Sequence, residues 1–233
     1  MRLERRVDSF LQKHYNEFTC LPSREYVTKK GKQRFRLPKR FTKELARLLG
    51  LLHGDGNMSG NRILFTDKCK PFHAKIRALF RKEFGLTLNL FEDRLRNSCY
   101  SHTKNKVIYE FFVEVLEAPR GAVRANLRIP KFIWDWSDEL KSAYVGGLFD
   151  AEGSVSKRQA EIGFYSTSEE LFDFVKAFLQ RSGISFSVYR RRRHKNEEFE
   201  IHVYGKDDLK RFAREVDFFH PEKKKRLALF LRH

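Results

Sequence analysis

Cysteine is scarce in this chain: three in 233 residues, Cys20, Cys69 and Cys99, far apart and without a CxxC pair. That points to neither a zinc framework nor a disulfide framework and fits a reducing intracellular setting. No apolar run approaches the length of a spanning helix. The N-terminus, MRLERRVDSFLQKHY, lacks the apolar core of a signal peptide. The expected setting is therefore a prokaryotic cytoplasm, with an organelle as the other reading and no membrane partner. Tryptophan is nearly absent, only Trp134 and Trp136, so a tryptophan-rich sugar cleft is excluded. Acidic residues are outnumbered, 30 against 48 Lys and Arg, for a net charge of +18. An excess of that size points to a polyanion, nucleic acid first and an anionic membrane surface second. It also argues against a glycosidase built on two carboxylates. What the chain does have is a core: 41% hydrophobic and 14% aromatic content, in a length that suits one large domain or two small ones.

Two segments repeat. LLGLLHGDGNMSG (48–60) reads as a buried apolar helix that stops at Asp55, between Gly54 and Gly56. YVGGLFDAEGSV (144–155) is a second apolar, small-residue helix stopping at Glu152 and Gly153. The segments after each helix also repeat. RILFTDK, PFHAKIRALFRKEFG, LTLNLFEDRL, SCYSHTK and NKVIYEFFVEVL read as strand, helix, strand, strand, helix. AEIGFYS, SEELFDFVKAFLQRSG, ISFSVYRRRR, FEIHVYG and DDLKRFAREV give the same order, with HKNEE as a turn. An early extra strand in each half, near 57–62 and 154–158, makes each sheet four-stranded. The expected organisation is a basic N-terminal extension over 1–42, a first half over 43–118, a linker over 119–136 and a second half with a C-terminal helix over 137–233. The extension should hold one amphipathic helix (Leu3, Val7, Phe10, Leu11, Phe18) and then KKGKQRFRLPKR. LPSREYV could open a small DNA-binding helix.

A carboxylate at a helix C-terminus meets partial negative charge and calls for a positive partner. Gly50 and Gly54 lie one turn apart, as do Gly147 and Ala151, and small residues at that spacing let two helices approach closely. Close packing would bring Asp55 and Glu152 together, where protonation or a divalent metal must relieve them. Oxygen ligands of this kind suit Mg²⁺. A single Asp-Gly after a helix is ordinary turn chemistry; two, each inside the same repeated unit, favour a site.

LLGLLHGDG and VGGLFDAEG resemble the two copies of the LAGLIDADG motif of homing endonucleases. The first departs at His53, where the motif has its first Asp. The second keeps that Asp as Asp150, has Phe149 for the Ile and Glu152 for the final Asp. IPKFIWDWSDELK and FHPEKKKRLALFL are also similar to single-chain members. The resemblance runs from about residue 43 to 232. It implies an α+β fold of two pseudo-symmetric αββαββα halves, each with a four-stranded, mainly antiparallel sheet, packed through the two motif helices. It implies a saddle in the DNA major groove and metal-dependent cleavage of both strands of a long asymmetric site, leaving short 3′ overhangs. Asp55 and Glu152 would hold Mg²⁺ (Mn²⁺ or Ca²⁺ in the same place), with the carbonyls of Gly54 and Ala151 as further ligands. Lys68 would stabilise charge on the phosphate. Asp67 would stand beside it and Ser166 at the matching position of the second half, where Lys157, Arg158 or Lys206 could replace the missing lysine.

Further DNA contacts are expected from Arg94 and Arg96 on one hairpin and from Arg190, Arg191, Arg192, Arg193 and Lys195 on the other, with Arg62 on a strand. Lys29, Lys30, Lys32, Arg34 and Arg36 should contact phosphates. His53 reads as a packed, hydrogen-bonded histidine and Asp150 as a structural hydrogen-bond acceptor. No splicing residues frame the chain between Met1 and FLRH, so an intron-encoded monomer acting on double-stranded DNA is expected over an intein. The alternatives are an RNA maturase that assists splicing of its intron RNA and a catalytically silent DNA-binding regulator of the same fold.

Overall fold

The computed structural model describes residues 3–21, 25–122, 127–193 and 196–232. The N-terminal extension is more than a helix and a basic tail. Helix α1 (Leu3–Lys13) buries Leu3, Val7 and Phe10 at helical spacing. Strands β1 (Phe18–Cys20), β2 (Tyr26–Thr28) and β3 (Arg34–Phe35) then form a small antiparallel sheet. Phe18, expected on the helix, starts β1. Its ring packs 5.0 Å from Tyr26 and 6.3 Å from Phe35. LPSREYV runs into β2 and not into a recognition helix; its residues 22–24 lie outside the described residues.

The first half comprises α2 (Lys43–Asp55), β4 (Asn57–Ser59), β5 (Arg62–Asp67), α3 (Lys70–Phe84), β6 (Asn89–Asp93), β7 (Ser98–Thr103) and α4 (Lys106–Glu110), which continues as a π-helical turn over Phe111–Val115. Side-chain caps set the starts: Thr42 accepts from Leu45 N–H and Asn105 from Ile108 N–H. Gly85 ends α3 in the left-handed region, φ +66°. Within the linker, β8 (Gly121–Ala122) pairs with β4 and α5 (Lys131–Trp134) forms one turn. The first sheet therefore has five strands, order β6-β7-β5-β4-β8, where four were expected.

The second half repeats the order: α6 (Asp138–Glu152), β9 (Gly153–Val155), β10 (Glu161–Ser166), α7 (Glu169–Arg181), β11 (Ser187–Arg193), β12 (Asn196–Tyr204) and α8 (Lys206–Glu215), with α9 (Pro221–Leu231) closing the chain. Its sheet has four strands, β11-β12-β10-β9, the same order as the first without the added edge. The fold is α+β, and every described strand pair is antiparallel. Strand β12 starts at Asn196, so the last three residues of HKNEE are strand; residues 194–195 lie outside the described residues. No described helix is long and apolar enough to cross a membrane.

Alternation along the strands divides each sheet into a helix-side face and an open face. Ile162, Phe164, Phe199, Ile201 and Val203 are buried on the helix side of the second sheet. Ile63, Phe65 and Cys99 do the same in the first. Between the halves run α2 and α6, buried over residues 45–54 except Arg47 and over residues 143–150.

Candidate active site at the paired helix ends

The sequence makes α2 and α6 touch backbone to backbone. A Cβ on Gly50 would lie 2.1 Å from the Tyr144 carbonyl oxygen, and one on Gly147 would lie 2.3 Å from that of Arg47. A Cβ on Gly54 would meet the Ala151 methyl at 2.4 Å and Glu152 Cγ at 3.4 Å. Both helices end at a glycine with extended backbone, Gly56 at φ −77° and Gly153 at φ −81°. A left-handed glycine cap, the ordinary turn chemistry for such a stop, is thus not what ends them. Glycine is required because a Cβ would strike Leu52 Cα at 2.5 Å or the Phe149 oxygen at 2.4 Å.

This packing brings Asp55 and Glu152 to one end of the helix pair. Asp55 is the more exposed of the two. Burial, reinforced by the charge of Asp55, pushes the Glu152 carboxyl up to about 7. Burial and the charge of Asp67 raise Asp55 as well. Glu152 opens into a cavity of about 150 Å³ shared with Ser166, Thr167 and Glu198. Asp55 lines a narrower one, about 30 Å³, with Thr66 and Asp67.

A positive partner is present, and sequence reasoning missed it. Lys223, in the first turn of α9, donates to the carbonyl oxygens of Phe149 at 3.1 Å and Asp150 at 2.5 Å, with Ala151 at 3.5 Å. Its ammonium neutralises the C-terminal end of α6 and its charge opposes the upward shifts of Asp55 and Glu152. Burial pulls its own pKa down. The signal was the KKK run after His220-Pro221, one residue of which points inward.

His53 is fully buried, with Nδ1 2.8 Å from the Tyr144 hydroxyl, and burial lowers its pKa to about 3. Asp150 is buried too. One oxygen pairs with Arg47 Nη1 at 2.8 Å and the other accepts from the N–H groups of Phe219 and His220 at 2.9 and 2.8 Å.

The expected contact residues separate by position. Asp67 ends β5 beside Asp55. Lys68 follows it, exposed, and lines a groove with Glu92, Arg94 and Asn97 at the β6–β7 hairpin. Ser166 Oγ is engaged locally, accepting from Ser168 N–H at 3.0 Å. Lys157 and Arg158 occupy the β9–β10 turn and Lys206 starts α8, at the far end of the second sheet from Glu152. Arg94 and Arg96 are exposed on a hairpin tip ordered by Asp93, which accepts from Leu95 and Arg96 N–H at 3.1 Å. Arg62 lies on the open face of the first sheet. Arg191 lies on the open face of the second, held 3.1 Å from Glu200. Arg190 turns to the helix side, 3.2 Å from Glu169 and over the Phe199 ring. Arg192 alternates to that same side and is exposed. Only the backbone of Arg193 is described, and Lys195 lies outside the described residues. Lys29, Lys30, Lys32 and Arg34 are exposed around the β2–β3 turn. Arg36 instead caps α3 through the carbonyls of Lys82 and Glu83.

Residues 139–217 match the model of the LAGLIDADG-like domain. Glutamine–fructose-6-phosphate aminotransferase of Methanocaldococcus jannaschii is 26% identical over 200 residues, covering 84% of this chain and 18% of that protein. The tRNA-splicing ligase RtcB of Pyrococcus abyssi is 24% identical, over 77% of this chain and 22% of its own length. A DNA polymerase of Thermococcus sp. strain GE8 is 29% identical, over 79% and 11%. The chain thus spans less than a quarter of each of these relatives. Among solved structures, I-DmoI in complex with DNA and Mn superposes with a TM-score of 0.55 at 16% identity, over 75% of this chain and 96% of that one. Full-length DUF199/WhiA from Thermatoga maritima gives 0.55 at 12% identity, over 80% and 60%. A LAGLIDADG-like domain is thus matched in the second half, and the chain shares the fold of I-DmoI, with α2 and α6 as its two paired helices.

Proposed function

We propose that the protein is a site-specific, divalent-metal-dependent endonuclease that cuts both strands of a long asymmetric DNA site and leaves short 3′ overhangs. The observation that carries this reading is the placement of Asp55 and Glu152 at one end of two helices in backbone contact, with Lys223 beside them. Two carboxylates raised by burial and by acidic neighbours are a site short of positive charge. The donors are all oxygen, which fits Mg²⁺, Mn²⁺ or Ca²⁺ over softer ions. Asp55 and Glu152 would hold the ion, with the Gly54 carbonyl nearby; the Ala151 carbonyl already faces Lys223. When bound, such an ion supplies Lewis acidity toward the phosphate and lowers the pKa of water.

The remaining work falls to the chain. The ammonium of Lys223 sits where charge would build on a phosphate held at the acids. The open faces of the two sheets offer Arg62 and Arg191, and the β6–β7 hairpin tip Arg94 and Arg96, to base edges and phosphates, with Phe91 and Tyr100 stacked 6.2 Å apart on the first sheet. Lys29, Lys30, Lys32 and Arg34 extend the positive surface and would position the duplex without reading it. The shared fold of I-DmoI, a homing endonuclease solved in complex with DNA and Mn, supports this reading. So does the occurrence of one matching stretch in an aminotransferase, a ligase and a polymerase. A module that lies within three such different enzymes has a task of its own, and mobility of its coding sequence accounts for its spread.

The test is cleavage of a plasmid library carrying randomised inserts, with Mg²⁺, and then sequencing of the ends. Discrete ends with 3′ overhangs, lost in EDTA and in Asp55→Asn, are expected. Tight binding without any cut would overturn the reading and make structured intron RNA the next ligand to try.

A further inference from the structure

The scattered cysteines form no zinc pattern in the sequence, yet the fold gathers one of them with a histidine and a carboxylate. Strand β5 ends at Asp67, and one Asp67 oxygen accepts from Cys69 N–H at 2.5 Å. That contact makes a tight Asp-x-Cys turn and turns the carboxylate and the thiol to the same side. Cys69 precedes α3 and its thiol makes no capping hydrogen bond there. From the other side comes His220, the residue before α9, anchored by its own N–H on Asp150. Cys69 and His220 are both 5% exposed. Asp67 Oδ2, Cys69 Sγ and a ring nitrogen of His220 all lie within 4.8 Å of one another.

The spacing separates two explanations. A plain Asp–His hydrogen bond would close to about 2.7–3.2 Å, whereas Asp67 Oδ2 and His220 Nε2 stand 3.5 Å apart. The edge between nitrogen and oxygen ligands of a tetrahedral zinc ion is roughly 3.4 Å. Glu222, two residues past His220, is within hydrogen-bonding reach of the Cys69 thiol. The pattern is then Asp-x-Cys from one half and His-x-Glu from the C-terminal helix.

We propose that Asp67, Cys69 and His220 form a second metal site, distinct from the carboxylate pair, that takes zinc, with Glu222 or water in the fourth position. A thiolate and an imidazole are borderline-soft donors that select zinc over Mg²⁺, while Asp55 and Glu152 offer only oxygen. Zinc on Nε2 puts the ring proton on Nδ1 and gives up the long 3.5 Å contact from Lys223 N–H. The start of α9 keeps its backbone bond from Lys224 N–H to the His220 carbonyl at 3.0 Å. Such a site would tie the C-terminal segment to the first half and fix Lys223, three residues on, at the helix ends. It needs neither DNA nor cleavage, so it stands or falls apart from the nuclease reading.

The test is titration of the metal-free full chain with Co²⁺, watching for thiolate-to-cobalt charge transfer in the near ultraviolet, and then zinc competition against a coloured chelator. One equivalent with a charge-transfer band is expected, unchanged in Cys20→Ser, Cys99→Ser, Asp55→Asn and Glu152→Gln. The band should vanish in Cys69→Ser. In His220→Asn, which keeps a good helix-capping side chain, zinc should bind more than about tenfold more weakly, the loss that even an outer-shell partner can cause. A wild-type protein with no charge-transfer band, a band that survives Cys69→Ser, or one lost with Glu152→Gln would overturn the proposal.

Discussion

Arg47 and Asp150 form an ion pair across the two motif helices, Nη1 to Oδ2 at 2.8 Å, and the pair has a twofold mate of different chemistry. Positions 47 and 144 correspond in the two copies, as do 53 and 150. In the mate, His53 and Tyr144 meet at 2.8 Å with no charge. The same slot holds an ion pair on one side and a neutral pair on the other. The charged side also carries load: Asp150 accepts the Phe219 and His220 N–H groups that lead into the helix bearing Lys223.

Removing one member of the charged pair should therefore unfold more than a contact. Arg47→Leu leaves a carboxylate buried with half its partners gone, a change of about 3–5 kcal/mol. Urea denaturation should show that loss. The double change Arg47→Tyr with Asp150→His, which copies the neutral mate, should recover part of it. Recovery of nothing would mean that the Phe219 and His220 contacts, and not the pair, carry the energy.

Two buried groups with opposite shifts make large contributions to the pH dependence of stability. Glu152 has a folded pKa of about 7 against an ordinary value of 4.5. The folded protein holds the extra proton between those values, so stability contributed by this group falls as pH rises through them. The span corresponds to about 3 kcal/mol before solvent screening reduces it. His53 is lowered from 6.5 to about 3. The unfolded chain holds that proton, so stability is lost as pH falls from 6.5 towards 3. The two slopes overlap and oppose each other between 4.5 and 6.5. In metal-free protein, the difference between wild type and Glu152→Gln should isolate the first slope: the variant should gain on wild type as pH goes from 5 to 8. A constant difference would mean that Glu152 titrates normally.

The repeat made much of this legible. Two apolar, small-residue helices ending in acids, each leading into the same order of strands and helices, are written in the local sequence. Burial of His53 and the hydrogen bonding of Asp150 could be read from an apolar helix with one polar residue. Contacts across long separations could not. Lys223 and Asp150 are 73 positions apart, and nothing local marks which residue of a KKK run turns inward. Lys68 stands at the strand end, where a lysine for the phosphate is expected, and it lines a groove with Glu92 and Arg94. Strands of two and three residues in the N-terminal extension carry no periodicity, and the Phe18, Tyr26 and Phe35 cluster that packs them together is formed across the sheet.

Lys223→Met should act on chemistry and on titration together. It removes the donor from the end of α6 and the charge that holds Glu152 down. Cleavage should fall by about a hundredfold or more, the usual cost of one such donor. The Glu152 midpoint in the stability profile should move above its wild-type value. DNA binding should change little, since one of 48 basic side chains is lost. A cleavage loss with an unmoved midpoint would place the lysine's effect away from the acids.

Binding itself should be steeply dependent on salt. Each phosphate neutralised by Lys or Arg contributes a slope of about −0.9 in log affinity against log salt. Arg62 and Arg191 on the open faces and Arg94 and Arg96 at the β6–β7 hairpin tip, with the lysines of the β2–β3 turn, should give a slope of several units in a fluorescence titration. Replacing Arg190, which faces Glu169 and Phe199, should leave that slope unchanged, while replacing Arg191 should lower it. Equal effects would mean that strand alternation does not decide which arginines reach the duplex.

The backbone contact between the motif helices makes the sign of one substitution diagnostic. Gly→Ala inside a helix ordinarily stabilises by roughly 0.5–1 kcal/mol. At Gly50 the new methyl would meet the Tyr144 carbonyl oxygen at 2.1 Å and Gly147 Cα at 3.1 Å, both backbone atoms that cannot move without parting the helices. Gly50→Ala should therefore destabilise by several kcal/mol. Any folded residue of it should cut poorly, because Asp55 and Glu152 would be drawn apart. At Gly146 the three atoms nearest the methyl all belong to the Arg47 guanidinium, at 2.7–2.9 Å. That group ends a flexible side chain, so Gly146→Ala should cost less and act through the Arg47–Asp150 pair. Thermal melts of the two variants, with cleavage of a nicked and an intact duplex, separate these effects. A Gly50→Ala protein as stable as wild type would mean that the two helices do not pack at backbone contact, and the meeting of the two acids would fall with it.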